Sequence, residues 1–170
     1  MAESGITKLE AAGRQLGSAL RLRRDGGDSL AVHTLAWAAY CLLRDLLGKS
    51  LTREVLRRFE KSQQLGKVPN YLKHADKRPQ AILKKHSETH TYITLALAIR
   101  LWGERGQPET SEIRAFSALP DPFKPGYKAG AALKFAKEGP ISDPKAARTE
   151  IQGITTLGST GGAVITEKKD

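Results

Sequence analysis

The chain has one cysteine, Cys41, so it can form neither an internal disulfide nor a zinc site with more than one thiolate. No stretch of about 18 residues is both uncharged and apolar enough to span a bilayer. The opening MAESGITKLE lacks the basic and apolar regions of a secretory signal. These absences predict a cytoplasmic protein that does not enter a membrane. Also missing are a Gly-x-Gly-x-x-Gly turn, a Gly-x4-Gly-Lys-Ser/Thr loop and a Gly-x-Ser-x-Gly elbow. Dinucleotide, nucleoside-triphosphatase and hydrolase readings therefore lose their usual support, and no cofactor is expected. No segment shows period-two alternation between hairpin turns, so no sheet is predicted.

What is present is basic charge: 28 Lys and Arg against 18 Asp and Glu, a formal net charge of +10. The excess is concentrated in the middle of the chain. Residues 51–100 hold eleven basic and four acidic residues, whereas 121–170 hold eight and six. A concentrated basic face fits a polyanionic partner, with nucleic acid first and an anionic membrane surface second; the alternative is a solvated face that keeps the protein soluble. A hydrophobic fraction of 39% over 170 residues is enough for a single core.

Helical periodicity dominates. Thr7-Lys-Leu-Glu10 fits a capping box, followed by apolar Leu9, Ala12, Leu16, Ala19 and Leu20 at spacings of three and four. After Gly26-Gly27, Asp28 or Ser29 caps LAVHTLAWAAYCLLRDLLG, which is apolar nearly all round and belongs at the centre of a bundle. Thr52 can cap a third helix bearing Val55, Leu56 and Phe59 beside Arg53, Arg57, Arg58 and Lys61, ending by Gly66. A short helix or turn from Pro69, a long apolar helix over Ser87 to Trp102, and a shorter one over Glu109 to Leu119 complete the pattern. GYKAGAALKFAKEG can add a small helix. The expectation is all-α: a four- to five-helix bundle over residues 1–138, with a low-complexity, disordered tail over 139–170.

The chemistry-bearing residues cluster in Asn-Tyr-Leu-Lys-His-Ala-Asp-Lys-Arg-Pro. In a helix from Pro69, Asn70 and His74 share a face with Lys73 adjacent. An imidazole exchanges protons near neutral pH and nearby cations hold phosphate, the parts of a metal-independent ribonuclease. Against this, Asn70 can brace the turn, His74 can bond a buried carbonyl and Asp76 can pair with Lys77 or Arg78. His33 reads as a hydrogen-bonded core histidine that the bundle could bring near His74. His86 and His90 have the spacing of two zinc ligands but lack His-Glu-x-x-His and a third ligand, so no metal is expected. Trp37 and Trp102 read as core or interface residues, and Cys41 as an inert small hydrophobe.

The helix KLEAAGRQLGSAL, the apolar helix DSLAVHTLAWAAYCLLRDLL and the Asn-x3-His segment together resemble the HEPN superfamily of helical nucleotide- and RNA-binding domains. The chain is also similar to a set of uncharacterised bacterial proteins carrying Asn-aromatic-x-Lys-His-Ala-Asp before a long helix. The resemblance spans roughly residues 7–119. It implies a helical bundle, a homodimer, a bacterial stress or defence setting and, in active members, RNA cleavage through an Arg-x4-6-His motif. Asn70 and His74 match that motif; the arginine does not, Pro69 standing in its place and Lys67 lying upstream with six residues between it and His74. Lysine lacks the planar fork that grips phosphate at two points, so the replacement is not equivalent.

Two readings follow. In the first, the protein binds RNA or a nucleotide, with His74, Asn70 and Lys67 as catalytic candidates and Lys73, Arg57, Arg58, Lys77 and Arg78 as phosphate contacts. In the second, it is a non-enzymatic module whose basic face docks an acidic protein.

Overall fold

The computed structural model describes residues 5–74, 82–122, 128–156 and 164–166. It confirms the all-α class. Among the described residues there are eight helices rather than four or five: α1 (Lys8–Arg24), α2 (Ser29–Asp45), α3 (Leu51–Gln63), α4 (Lys67–Lys73), α5 (Glu88–Glu104), α6 (Ser111–Ser117), α7 (Lys128–Glu138) and α8 (Pro144–Thr156). A short ribbon that the pattern did not predict pairs β1 (Ile82–Lys85) with β2 (Val164–Thr166), antiparallel and irregular between Leu83 and Lys85. Strands of four and three residues are too short to display alternation.

The helix starts follow local chemistry. The Thr7 hydroxyl accepts from the Glu10 amide at 3.1 Å while the Glu10 carboxylate accepts from the Thr7 amide at 2.8 Å, a complete capping box. Asp28 caps α2 by accepting from the Ala31 amide at 2.8 Å. Ser50, not Thr52, caps α3, accepting from the Arg53 amide at 3.2 Å. Helix α3 ends at Gln63, ahead of Gln64 with φ of +55°, and α4 begins at Lys67, two residues before Pro69. Pro69 fits there because amides of the first turn have no intrahelical acceptor to lose.

Helix α2 is the hub, packing on α1, α3, α4 and α5, and α5 in turn packs on α7. Val32, Ala36, Ala39, Tyr40 and Leu43 of α2 are fully buried, and in α5 the run Ile93–Ala98 is buried at every position, so protein covers that helix on all sides. The rings of Phe59 and Phe135 stack at 4.5 Å, joining α3 to α7. Arg23 bridges α1 to α5, donating to Glu88 at 3.1 Å and to the Tyr92 hydroxyl at 3.0 Å. Trp37 and Trp102 both pack against the core, the Trp102 indole donating to the Pro108 carbonyl at 3.0 Å.

The folded core does not stop at residue 138. Ile141, Ala147, Ile151 and Ile154 are buried, and α8 packs on α3 and α7. The expected disordered tail therefore contains a core helix. Asp143 starts it, its carboxylate accepting from the amides of Lys145 and Ala146 at 3.0 and 3.1 Å. No helix among the described residues is long and apolar enough to cross a membrane.

Candidate functional site

The segment singled out from sequence lies on α4 and its C-terminal cap. Lys67 is half-buried in the first turn, Asn70 and Lys73 are exposed, and half-buried His74 caps the helix, its amide donating to the Asn70 carbonyl at 3.1 Å. The Asn70 side-chain amide turns back over Gly66, 3.6 Å from where a Cβ on that glycine would sit; the Trp37 ring closes the other side at 3.4 Å. No hydrogen bond joins the side chains of Lys67, Asn70 and His74 among the described residues. Asp76, Lys77 and Arg78 lie outside those residues.

The fold gathers a different set of histidines. His33 from α2 is fully buried, and its ring meets that of His86 edge-on at 5.0 Å. His86 lies just before α5 and His90 in its first turn, 6% exposed. His33 therefore neighbours His86, not His74. Its Nε2 is 3.3 Å from the Leu65 carbonyl, a contact that requires the proton on Nε2 and leaves Nδ1 as a bare acceptor. The His86 Nε2 is 3.0 Å from the Thr91 hydroxyl. The Nδ1 atoms of all three rings, with Ser29 Oγ and Thr94 Oγ1, are buried without a well-formed hydrogen bond. The Ser29 main chain lies close enough to the His86 ring to favour its protonated form.

This environment keeps the imidazoles neutral. Burial pushes His33 down to about 3, with His86 adding to the shift and the Leu65 carbonyl opposing it. Burial likewise takes His90 down to about 4, assisted by the positive charges of His86, Lys67 and Lys128. His86 is lowered by burial too, against the Ser29 main chain, Asp28 and Glu88. Lys67, singled out as a partner of His74, thus acts on His90. No group of three or more His, Cys, Asp or Glu among the described residues is arranged to hold a metal ion. The histidine pair at 86 and 90 was visible in the sequence; its meeting with His33, more than fifty residues earlier, arises from the packing of α2 against α5.

The cations divide into paired and open. Arg44 grips both Glu60 carboxylate oxygens at 2.8 Å, with each side chain about an eighth exposed, and the Tyr40 hydroxyl donates to the same carboxylate at 2.6 Å. Arg58 pairs with Glu54 at 2.8 Å, and Arg53 with Asp45 at 2.9 Å. Arg57 and Lys61, one turn apart on α3, are exposed and paired with no carboxylate among the described residues, and the same holds for Lys73. Lys49, Ser50, Leu51, Arg53, Glu54 and Arg57 line a shallow basin of about 410 Å3 at the start of α3. Cys41 is half-buried, and burial pushes its thiol up to about 11, which keeps it protonated and unreactive.

The chain matches no protein-family model, no curated protein and no solved structure.

Proposed function

We propose that the protein is a HEPN-like RNA-binding module whose contact face is the outer row of α3, Arg57 and Lys61, together with the basin beside it. Successive members of the row are four residues apart and share one helix face. The observation that carries this reading is that Arg57 and Lys61 stand open while Arg44 and Arg58 are neutralised by carboxylates. Open, exposed cations neutralise phosphates and release the counterions condensed on them, which is the main source of sequence-independent affinity for nucleic acid. Lys73 adds a further contact, and Lys77 and Arg78 extend the same proposal beyond the described residues. That no hydrogen bond joins the side chains of Lys67, Asn70 and His74 among the described residues favours binding over cleavage.

Single-stranded RNA titrated into the purified protein in EDTA, at two salt concentrations, tests this. Affinity should fall steeply with salt, and Arg57→Glu with Lys61→Glu should abolish it. Binding unchanged by that double reversal would overturn the reading. RNA cleavage lost in His74→Ala would establish a nuclease instead, and the absence of both activities would turn attention to an acidic protein partner.

A further inference from the structure

Helices α1 and α6 border a pocket of about 260 Å3 lined mainly by apolar side chains: buried Leu20 and Phe116, with exposed Ala115 and Leu119 nearer solvent. Its polar groups are Arg23, Arg24 and Glu112, and they differ in what they have left to give. Glu112 is engaged at both oxygens, accepting from Arg21 at 3.2 Å and from the Ser111 hydroxyl at 3.1 Å. Arg23 donates to Glu88 and to the Tyr92 hydroxyl through Nη2 alone, and its Nε and Nη1 make no hydrogen bond among the described residues. The same guanidinium lies over the Tyr92 ring at 4.7 Å, and that ring packs on Phe116 at 5.6 Å, so Tyr92 steadies both the cation and the apolar wall. Arg24 pairs with its neighbour Asp25, both side chains 60% exposed, in an ion pair that water and salt weaken. The polar end of the pocket therefore has donors to spare and a carboxylate already taken.

We propose that this pocket binds a small monocarboxylate with an apolar body, the carboxylate taken by Arg23 and Arg24 and the body packed against Leu20, Phe116 and Leu119. The proposal is independent of the RNA-binding reading, since it uses no residue of α3. A planar guanidinium matches the two oxygens of a carboxylate, and one already held in place loses little freedom on binding. Apolar walls with a few placed polar groups are the usual make-up of a small-molecule site. A dry cavity of about 150 Å3 accepts benzene, so on the same scale 260 Å3 takes about ten non-hydrogen atoms, the size of octanoate. An amine of the same length would meet two guanidinium groups and a carboxylate already neutralised by Arg21.

The test compares octanoate with octylamine and octanol, each titrated into the full chain at pH 7.5 and followed by calorimetry and by the methyl NMR signals of Leu20, Ala115 and Leu119. Octanoate should move those methyls and bind about tenfold more tightly than either of the others. Arg23→Lys, which keeps the charge and loses the planar fork, should weaken octanoate binding about tenfold and leave octanol binding unchanged. Ala115→Leu, at an exposed position, should fill the pocket and weaken octanoate binding by about tenfold or more, and the surface control Lys145→Gln should leave it unchanged. Melting curves of these variants establish that lost binding is not lost folding. Equal binding of octanol and octanoate would leave an apolar pocket with no carboxylate site, and tighter binding of octylamine would assign the polar end to Glu112. Octanoate binding undiminished in Ala115→Leu would place the ligand elsewhere. Each of these results overturns the proposal, as does no response to octanoate at about 5 mM.

Discussion

Lowering the pH from 7.5 to 5 should cost this protein about 4 kcal/mol of stability, through His33 and His90 alone. In the unfolded chain each imidazole titrates near 6.5, whereas in the fold they titrate at about 3 and about 4. Below pH 6.5 the unfolded chain therefore binds more protons than the folded one, and folding weakens as acid is added. At pH 5 an imidazole with a normal pKa is protonated about thirtyfold more often than not, which corresponds to about 2 kcal/mol for each histidine kept neutral by the fold. The two together amount to a large part of the roughly 5–15 kcal/mol typical of a whole domain. His86 shifts in the same direction. Urea unfolding in a phosphate-free buffer at pH 7.5, 6 and 5 measures the effect, as a falling midpoint at constant slope. Carboxylates do not obscure it: Glu112, held down to about 2 first by its own backbone and then by Arg21, Ser111 and Thr110, loses its contribution only at lower pH. The double variant His33→Gln, His90→Gln should flatten most of the change. A wild-type midpoint that is level from pH 7.5 to 5 would refute the reasoning.

Other consequences concern separate parts of the molecule. Glu60→Ala strips Arg44 and the Tyr40 hydroxyl of their shared, nearly buried carboxylate, and should destabilise by about 3 kcal/mol in the same urea assay. Gly13→Ala places a Cβ 2.6 Å from the Trp102 ring; the clash, about 1–3 kcal/mol, should outweigh the roughly 1 kcal/mol gained in helix propensity and lower the melting temperature. Arg57→Gln should weaken RNA binding alike across sequences and make the dependence on log salt shallower by about 1.

The legible parts of this fold were those where one local signal acted alone. Thr7 and Glu10 bracket the start of α1, and at α2 the cap falls on Asp28, one of the two adjacent candidates. Where two caps competed the sequence was ambiguous: Ser50 and Thr52 are equally able acceptors, and the extended backbone at Ser50, φ −124° and ψ 158°, decides between them. Ala147, Ile151 and Ile154 carry a helical spacing, but glycine and threonine around them dilute it, so the core contribution of α8 emerges only in its packing on α3 and α7. The polar string around His74 drew attention because its members are neighbours in sequence. The most deeply buried histidine, His33, meets His86 only in space.

That contrast also separates what binds RNA from what holds the fold together. A pair of exposed cations on α3 acts through long-range charge, so its affinity must follow salt. The histidine cluster is buried and acts on stability, which must follow pH. If Arg57→Gln weakens RNA binding while leaving the pH dependence of the urea midpoint unchanged, the two properties reside in different parts of the molecule. If Arg57→Gln leaves both the affinity for RNA and its salt dependence unchanged, α3 is not the RNA site.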